Sequence, residues 1–196
     1  MLENVKWGEF RIGDLFEIQN TLSFNKNKLT IGSQYDYITR TSQNQGILQT
    51  TGFVNQENLN SSGIWSLGLL QMDFFYREKP WYAGQFIRKI IPKIKLEKSV
   101  IPFFTVLLNK QKKNLLSGLV RDVDRTFLNS IIQLPVKNNE IDFDFINRFI
   151  AELEAEHIAE LEAYLASTNL KNFTLTEKEE KIIDNFQKGE IEFGKF

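Results

Sequence analysis

The amino-acid sequence predicts an α+β protein, with a mixed domain of short strands and small helices over residues 1–140 and a helical region over residues 141–196. Three observations carry this. Up to residue 136, apolar residues fall in short alternating runs punctuated by Gly, Pro, Asn and Ser, the rhythm of strands and turns. From Asp142 the apolar spacing switches to threes and fours, the rhythm of one helix face. From Asp142 to Ser167 there is no Gly or Pro to interrupt it.

Taken in order, "EFRIGDLFEI" alternates around a Gly-Asp turn, with Phe10, Ile12, Leu15, Phe16 and Ile18 as core candidates. Residues 20–34 are polar and read as a surface loop. Tyr37 and Ile38 open a strand that breaks into seven polar residues before Gly46 turns the chain into Ile47 and Leu48. Further strands follow, with turns at Ser61-Ser62-Gly63, Lys79-Pro80 and Ala83-Gly84. "SVIPFFTVLLNKQKKNLL" predicts a short helix after Pro102 that ends in a basic cluster. "SIIQLPV" predicts a last strand closed by Pro135. The long helix then begins at Asp142 or Asp144 as N-cap and runs for roughly six turns. Its apolar stripe is Ile146, Phe149, Ile150, Leu153, Ile158, Leu161, Tyr164 and Leu165. Such a stripe suits either a partner helix in a coiled coil or packing on its own domain. A second helix, capped at Thr174 or Thr176, is expected in "TLTEKEEKIIDNF".

Composition narrows the chemistry. The chain of 196 residues has no cysteine, so disulfides, thiolate metal sites and a cysteine nucleophile are excluded, and a reducing cytoplasm is the expected setting. The single histidine, His157, removes most histidine-based catalysis; on the helix stripe it reads as a packed interface histidine or a pH-sensitive contact. The N-terminus has no basic-then-apolar leader pattern, and no apolar run approaches the ~20 residues that span a bilayer, so no membrane association is expected. There is no glycine-rich phosphate loop, dinucleotide fingerprint or methyltransferase motif. Asp73 with Arg77 to Lys79 lacks the spacing of a nuclease carboxylate cluster. No catalytic residue, cofactor or metal is expected.

The net charge of −1 conceals strong segregation. Residues 77–125 carry 12 Lys and Arg against 4 Asp and Glu, whereas residues 140–162 carry 8 acidic groups and one arginine. Distribution matters more than the sum for a polyanionic partner. The basic stretch contributes Arg77, Lys79, Arg88, Lys89, Lys110, Lys112 and Lys113 as candidate phosphate contacts. Arg121 and Arg125, flanked by Asp in "RDVDR", suit local ion pairs equally well. Arg40, Thr41, Ser42, Gln43 and Asn44 add donors and acceptors of the kind that read base edges, though a plain polar turn closed by Gly46 explains them too.

The ordered set "WGEFRIGDLFEI", "YDYITRTSQNQGIL", "FFYREKPWYAGQFIRKIIPK", "LPV" and "FDFINRFIAELEAEHIAELEAYL" resembles the specificity subunits of type I restriction–modification systems, and is similar to specificity chains of some fused or type IIB-like systems. The resemblance implies a target-recognition domain followed by a spacer helix. It implies double-stranded DNA as ligand, and DNA methyltransferase (modification) and restriction subunits as partners that supply all catalysis. Members usually hold two such units, whose helices pair antiparallel. This sequence holds one, and its last residues, "GEIEFGKF", echo "WGEF" near its start. Pairing is therefore expected either as a homodimer or with the second half of a longer specificity chain, through Ile146, Ile150, Leu153, His157, Leu161 and Tyr164. The alternative reading is a protein-interaction or inhibitory module that keeps the fold and occupies the methyltransferase docking surface.

Overall fold

A computed structural model describes residues 5–117, 122–168 and 180, and its strands fall into three sheets. The expected second helix apart from Glu180, the C-terminal "GEIEFGKF" and Arg121 lie outside the described residues. By internal contacts the chain divides into two units, Met1–Ile150 and Ala151–Phe196.

In the first unit, β1 (Trp7–Arg11), a single helical turn α1 (Ile12–Leu15) and β2 (Phe16–Asn20) follow without a break. The Gly13-Asp14 turn is thus helical. Ile12, Leu15 and Phe16 are buried, with Phe10 and Ile18 packed against the same core. β2 joins β8 (Ile87–Pro92), β5 (Ile64–Gly68) and β6 (Asp73–Arg77) in an antiparallel sheet of order β2-β8-β5-β6. The second sheet pairs β3 (Tyr35–Ile38) antiparallel with β4 (Ile47–Thr51) and parallel with β7 (Trp81–Ala83).

The four-stranded sheet is buried on both faces, and alternation along its strands explains how. Trp65, Leu67, Phe74 and Ile90 face the helical side, α2 (Ile101–Lys110), α3 (Lys112–Ser117) and α4 (Val123–Asn129), where Phe104, Leu108, Leu115 and Phe127 complete the main core. Ile64 and Ile87 face the other way and join Ile38, Trp81 and Ala83, which cements the second sheet onto the first. Asn109 of α2 caps the edge of β6: its Oδ1 accepts from Phe74 N at 3.0 Å and its Nδ2 donates to Phe74 O at 2.9 Å. An amide side chain here does what a further strand would do for an exposed edge.

The third sheet is β1-β9-β10, with β9 at Ile131–Lys137 and β10 at Glu140–Ile141. Pro135 does not close β9. Its carbonyl accepts from Asp142 N at 2.8 Å, and the strand continues into a hairpin whose two turn residues, Asn138 and Asn139, both have positive φ (53° and 67°). That pair is the backbone a two-residue primed turn requires, and Asn tolerates it well. The final helix, α5, spans Phe143–Ser167. Asp142 is its N-cap, with Oδ1 accepting from Phe145 N at 2.9 Å.

The start of α5 corrects one expectation. Phe145 and Ile146 are buried in the core of the first unit, and Ile150 packs partly against it. Ile146, fully inaccessible, has no surface to offer a partner helix.

Candidate nucleic-acid interface

Four segments of the first unit meet beside the turn end of the β3–β4 hairpin. Gly84 N donates to Ile38 O at 2.8 Å, Phe24 N to Ala83 O at 3.2 Å, and Leu69 N to Phe86 O at 2.9 Å. A Cβ on Gly68 would stand 3.1 Å from Arg40 Cα, so a residue without one lets the two backbones approach. Together the loops around Phe24–Lys26, Thr39–Arg40 and Gly84–Gln85 enclose an open depression of about 300 Å³, walled on one side by Leu48.

The polar stretch Arg40–Gln45 is a closed turn rather than an extended strand. Thr39 N donates to Gly46 O at 2.8 Å, and Asn44, Gln45 and Gly46 all take positive φ (45°, 52° and 78°). Two consecutive non-glycine residues in that region carry strain, so something must hold them. Arg77 does. Its Nη2 donates to Gln45 O at 2.5 Å, and its Nε and Nη2 donate to Ser66 Oγ at 2.8 and 2.7 Å. Burial pushes the Arg77 guanidinium down to about 10, with the Asp36 carboxylate opposing, so it is charged at neutral pH. A second tether runs from the turn's rim: Ser42 Oγ donates to Asp73 Oδ2, while Lys112 Nζ of α3 sits 2.5 Å from Asp73 Oδ1. At Gly46 a methyl group would add both a strained φ and a contact at 3.1 Å to Thr39 O. Gly46→Ala is expected to lower stability by about 1–2 kcal/mol in chemical denaturation.

The structure sorts the sequence-predicted residues. Arg40, Ser42, Gln43 and Asn44 are exposed; Thr41 is half-buried, with Oγ1 accepting from Gln43 N. Lys110 and Lys113 are exposed beside the tethered Lys112. Arg77 is a correction: at 3% exposure it lies beneath the turn and cannot reach a phosphate, because alternation along β6 points it between the two sheets. Lys79 is exposed but pairs with Asp36 at 2.9 Å, and Arg88 pairs with Asp124 of α4 at 3.1 Å, while Lys89 is half-buried. The loops bring in residues that sequence reasoning missed: Asn25, Lys26, Gln85 and Phe86. Phe86 takes φ of 63°, its ring is 53% exposed, and the Arg40 guanidinium sits 5.2 Å from the ring centroid. An aromatic directly after the polar "AGQ" turn was the available signal.

In the second unit, Leu153, His157, Leu161 and Tyr164 of α5 are exposed. Among the described residues His157 is not packed; its Nδ1 lies 3.6 Å from Glu160 Oε2 on the helix surface. Among the described residues no helix is long and apolar enough to cross a membrane.

Fold and site define the class: an α+β domain that displays polar, braced loops on an open face. Comparison with known proteins places it further. The model of the type I restriction modification DNA specificity domain matches residues 4–163, and the chain belongs to that family. It is 24% identical over 152 residues to the S.BcgI specificity subunit of a type II restriction enzyme from Heyndrickxia coagulans, covering 76% of this chain and 44% of that protein. Two crystal structures share the fold. The HsdS subunit from Thermoanaerobacter tengcongensis aligns with TM-score 0.55 at 14% identity, over 94% of this chain and 45% of that one. The type I system S subunit from M. genitalium aligns with TM-score 0.50 at 15% identity, over 86% and 44%. The chain thus spans less than half the length of these relatives.

Proposed function

We propose that this chain is a non-catalytic sequence-recognition subunit of a restriction–modification system, binding one duplex DNA half-site and docking methyltransferase and restriction subunits that act there. The observation that carries this reading is the braced turn at Arg40–Gln45. Exposed Arg40, Ser42, Gln43 and Asn44 stand on a buried arginine, so reading groups are held in a fixed frame before any ligand arrives. Flanking cations, Lys26, Lys28, Lys110 and Lys113, are exposed and suited to phosphates, which position a protein while the base edges specify. The exposed stripe Leu153, His157, Leu161 and Tyr164 then serves to pair α5 with a second copy, or with the second half of a longer specificity chain. Two-fold pairing would read an inverted repeat with a fixed gap.

A second reading draws on one specific observation: Lys79, Arg88 and Lys112 are each engaged by a carboxylate, so the basic segment offers less free charge than its composition suggests. That suits an interaction module that occupies the methyltransferase docking surface. Salt separates the two. About four or five phosphate contacts give a slope of log K against log salt near −4. Titration of random duplex DNA at several salt concentrations is expected to return a slope of that order; a flat response would exclude phosphate contacts and leave the interaction module.

A further inference from the structure

We propose that Arg40, held over the Phe86 ring, reads a guanine within the half-site; this rests on the DNA-recognition reading above. The described arginines divide by what their guanidinium groups already do. Arg11 bonds Asp14, Arg77 bonds Ser66 and Gln45, Arg88 bonds Asp124, Arg125 bonds Asp122, and Arg148 bonds Asp144 O. Arg40 is exposed and, among the described residues, has no protein acceptor. Its donors are open to a ligand.

The group is nevertheless not loose. The ring of Phe86 lies 5.2 Å away, and the Phe86 backbone is itself fixed, at φ 63° with its carbonyl accepting from Leu69 N at 2.9 Å. A planar fork resting against an aromatic face keeps its hydrogen-bonding edge directed outward and loses little freedom on binding. Guanine presents two acceptors, N7 and O6, at the spacing of that fork, and no other base edge in the major groove does so. A phosphate needs no such fork, since a lysine binds it as a point charge, and exposed lysines already flank the site. The strained Phe86 backbone then has a purpose: it puts an apolar ring beneath the reader rather than in the core.

The test is selection from a random duplex pool by the full chain with its methyltransferase subunit, comparing wild type with Arg40→Ala, Arg40→Lys and Phe86→Leu. Both side chains are exposed, and thermal unfolding checks that each variant folds. Wild type is expected to return a motif containing guanine. In Arg40→Ala one G·C position per half-site becomes degenerate, with preference for guanine there falling on the order of 10- to 100-fold and other positions unchanged. Arg40→Lys keeps the salt slope but loses most of that preference. Phe86→Leu weakens the same position less, and the Arg40→Ala/Phe86→Leu pair is no worse than Arg40→Ala alone. An Arg40→Ala protein whose motif is intact and whose salt slope is shallower by about one makes Arg40 a phosphate contact and overturns the proposal, while DNA recognition stands. No motif from wild type overturns the recognition reading itself.

Discussion

Replacing Arg77 with alanine is expected to lower the folding free energy by about 3 kcal/mol or more, a large fraction of the ~5–15 kcal/mol that typically holds a domain together. The reasoning starts from burial. With 3% of Arg77 exposed, its removal leaves the buried Ser66 Oγ and the part-buried Gln45 carbonyl short of their donors. Each such orphaned group costs roughly 1–3 kcal/mol, and the void left against the Phe75 ring adds to it. Arg77→Lys keeps the charge but not the fork, and recovers only part of the loss. The charge at Asp36 is not stranded, because Lys79 still pairs with it. Lys79→Ala, half-exposed, is expected to change stability by at most about 1 kcal/mol. Urea denaturation of the three variants checks the ranking. A fully stable Arg77→Ala protein would mean that the Asp73 tether alone fixes the turn.

This residue also marks where sequence reading stopped. In "REKP", Arg77 looks like the start of a charged turn, and the basic composition around it favoured a surface role. Its burial depends on Ser66, eleven positions away on β5, and on the β3–β4 turn that Gln45 brings over it. Neither is encoded in the neighbourhood of Arg77. Features set by local physics were legible: the apolar alternation of β1 to β2, the Asp142 cap, the closure at Gly46 and the extent of α5. The Asn138-Asn139 hairpin was legible in principle, since paired asparagines suit two positive φ angles, but Pro135 argued for an ending. Arg40 was singled out from its residue type; the ring beneath it, 46 positions along the chain, required the fold.

The helix α5 is expected to answer differently along its length. Ile146→Ala should cost about 2–5 kcal/mol in denaturation, because a fully buried branched side chain leaves a cavity in the core of the first unit. Association should be unaffected where the domain stays folded, since nothing of Ile146 is accessible. Leu153 and Leu161 invert this. Both are exposed, at 37% and 57%, so Leu153→Glu with Leu161→Glu removes no intramolecular packing of the first unit and should leave its denaturation midpoint nearly unchanged. Under the proposed helix pairing, the same double substitution buries two like-charged carboxylates at a dry seam, and the assembly should fall to monomers in sedimentation. Ile150, partly packed on the core, sits at the changeover and should show some of each effect. If the double variant sediments as wild type does, the exposed stripe is a solvated helix face, and pairing of half-sites must be sought elsewhere in the chain.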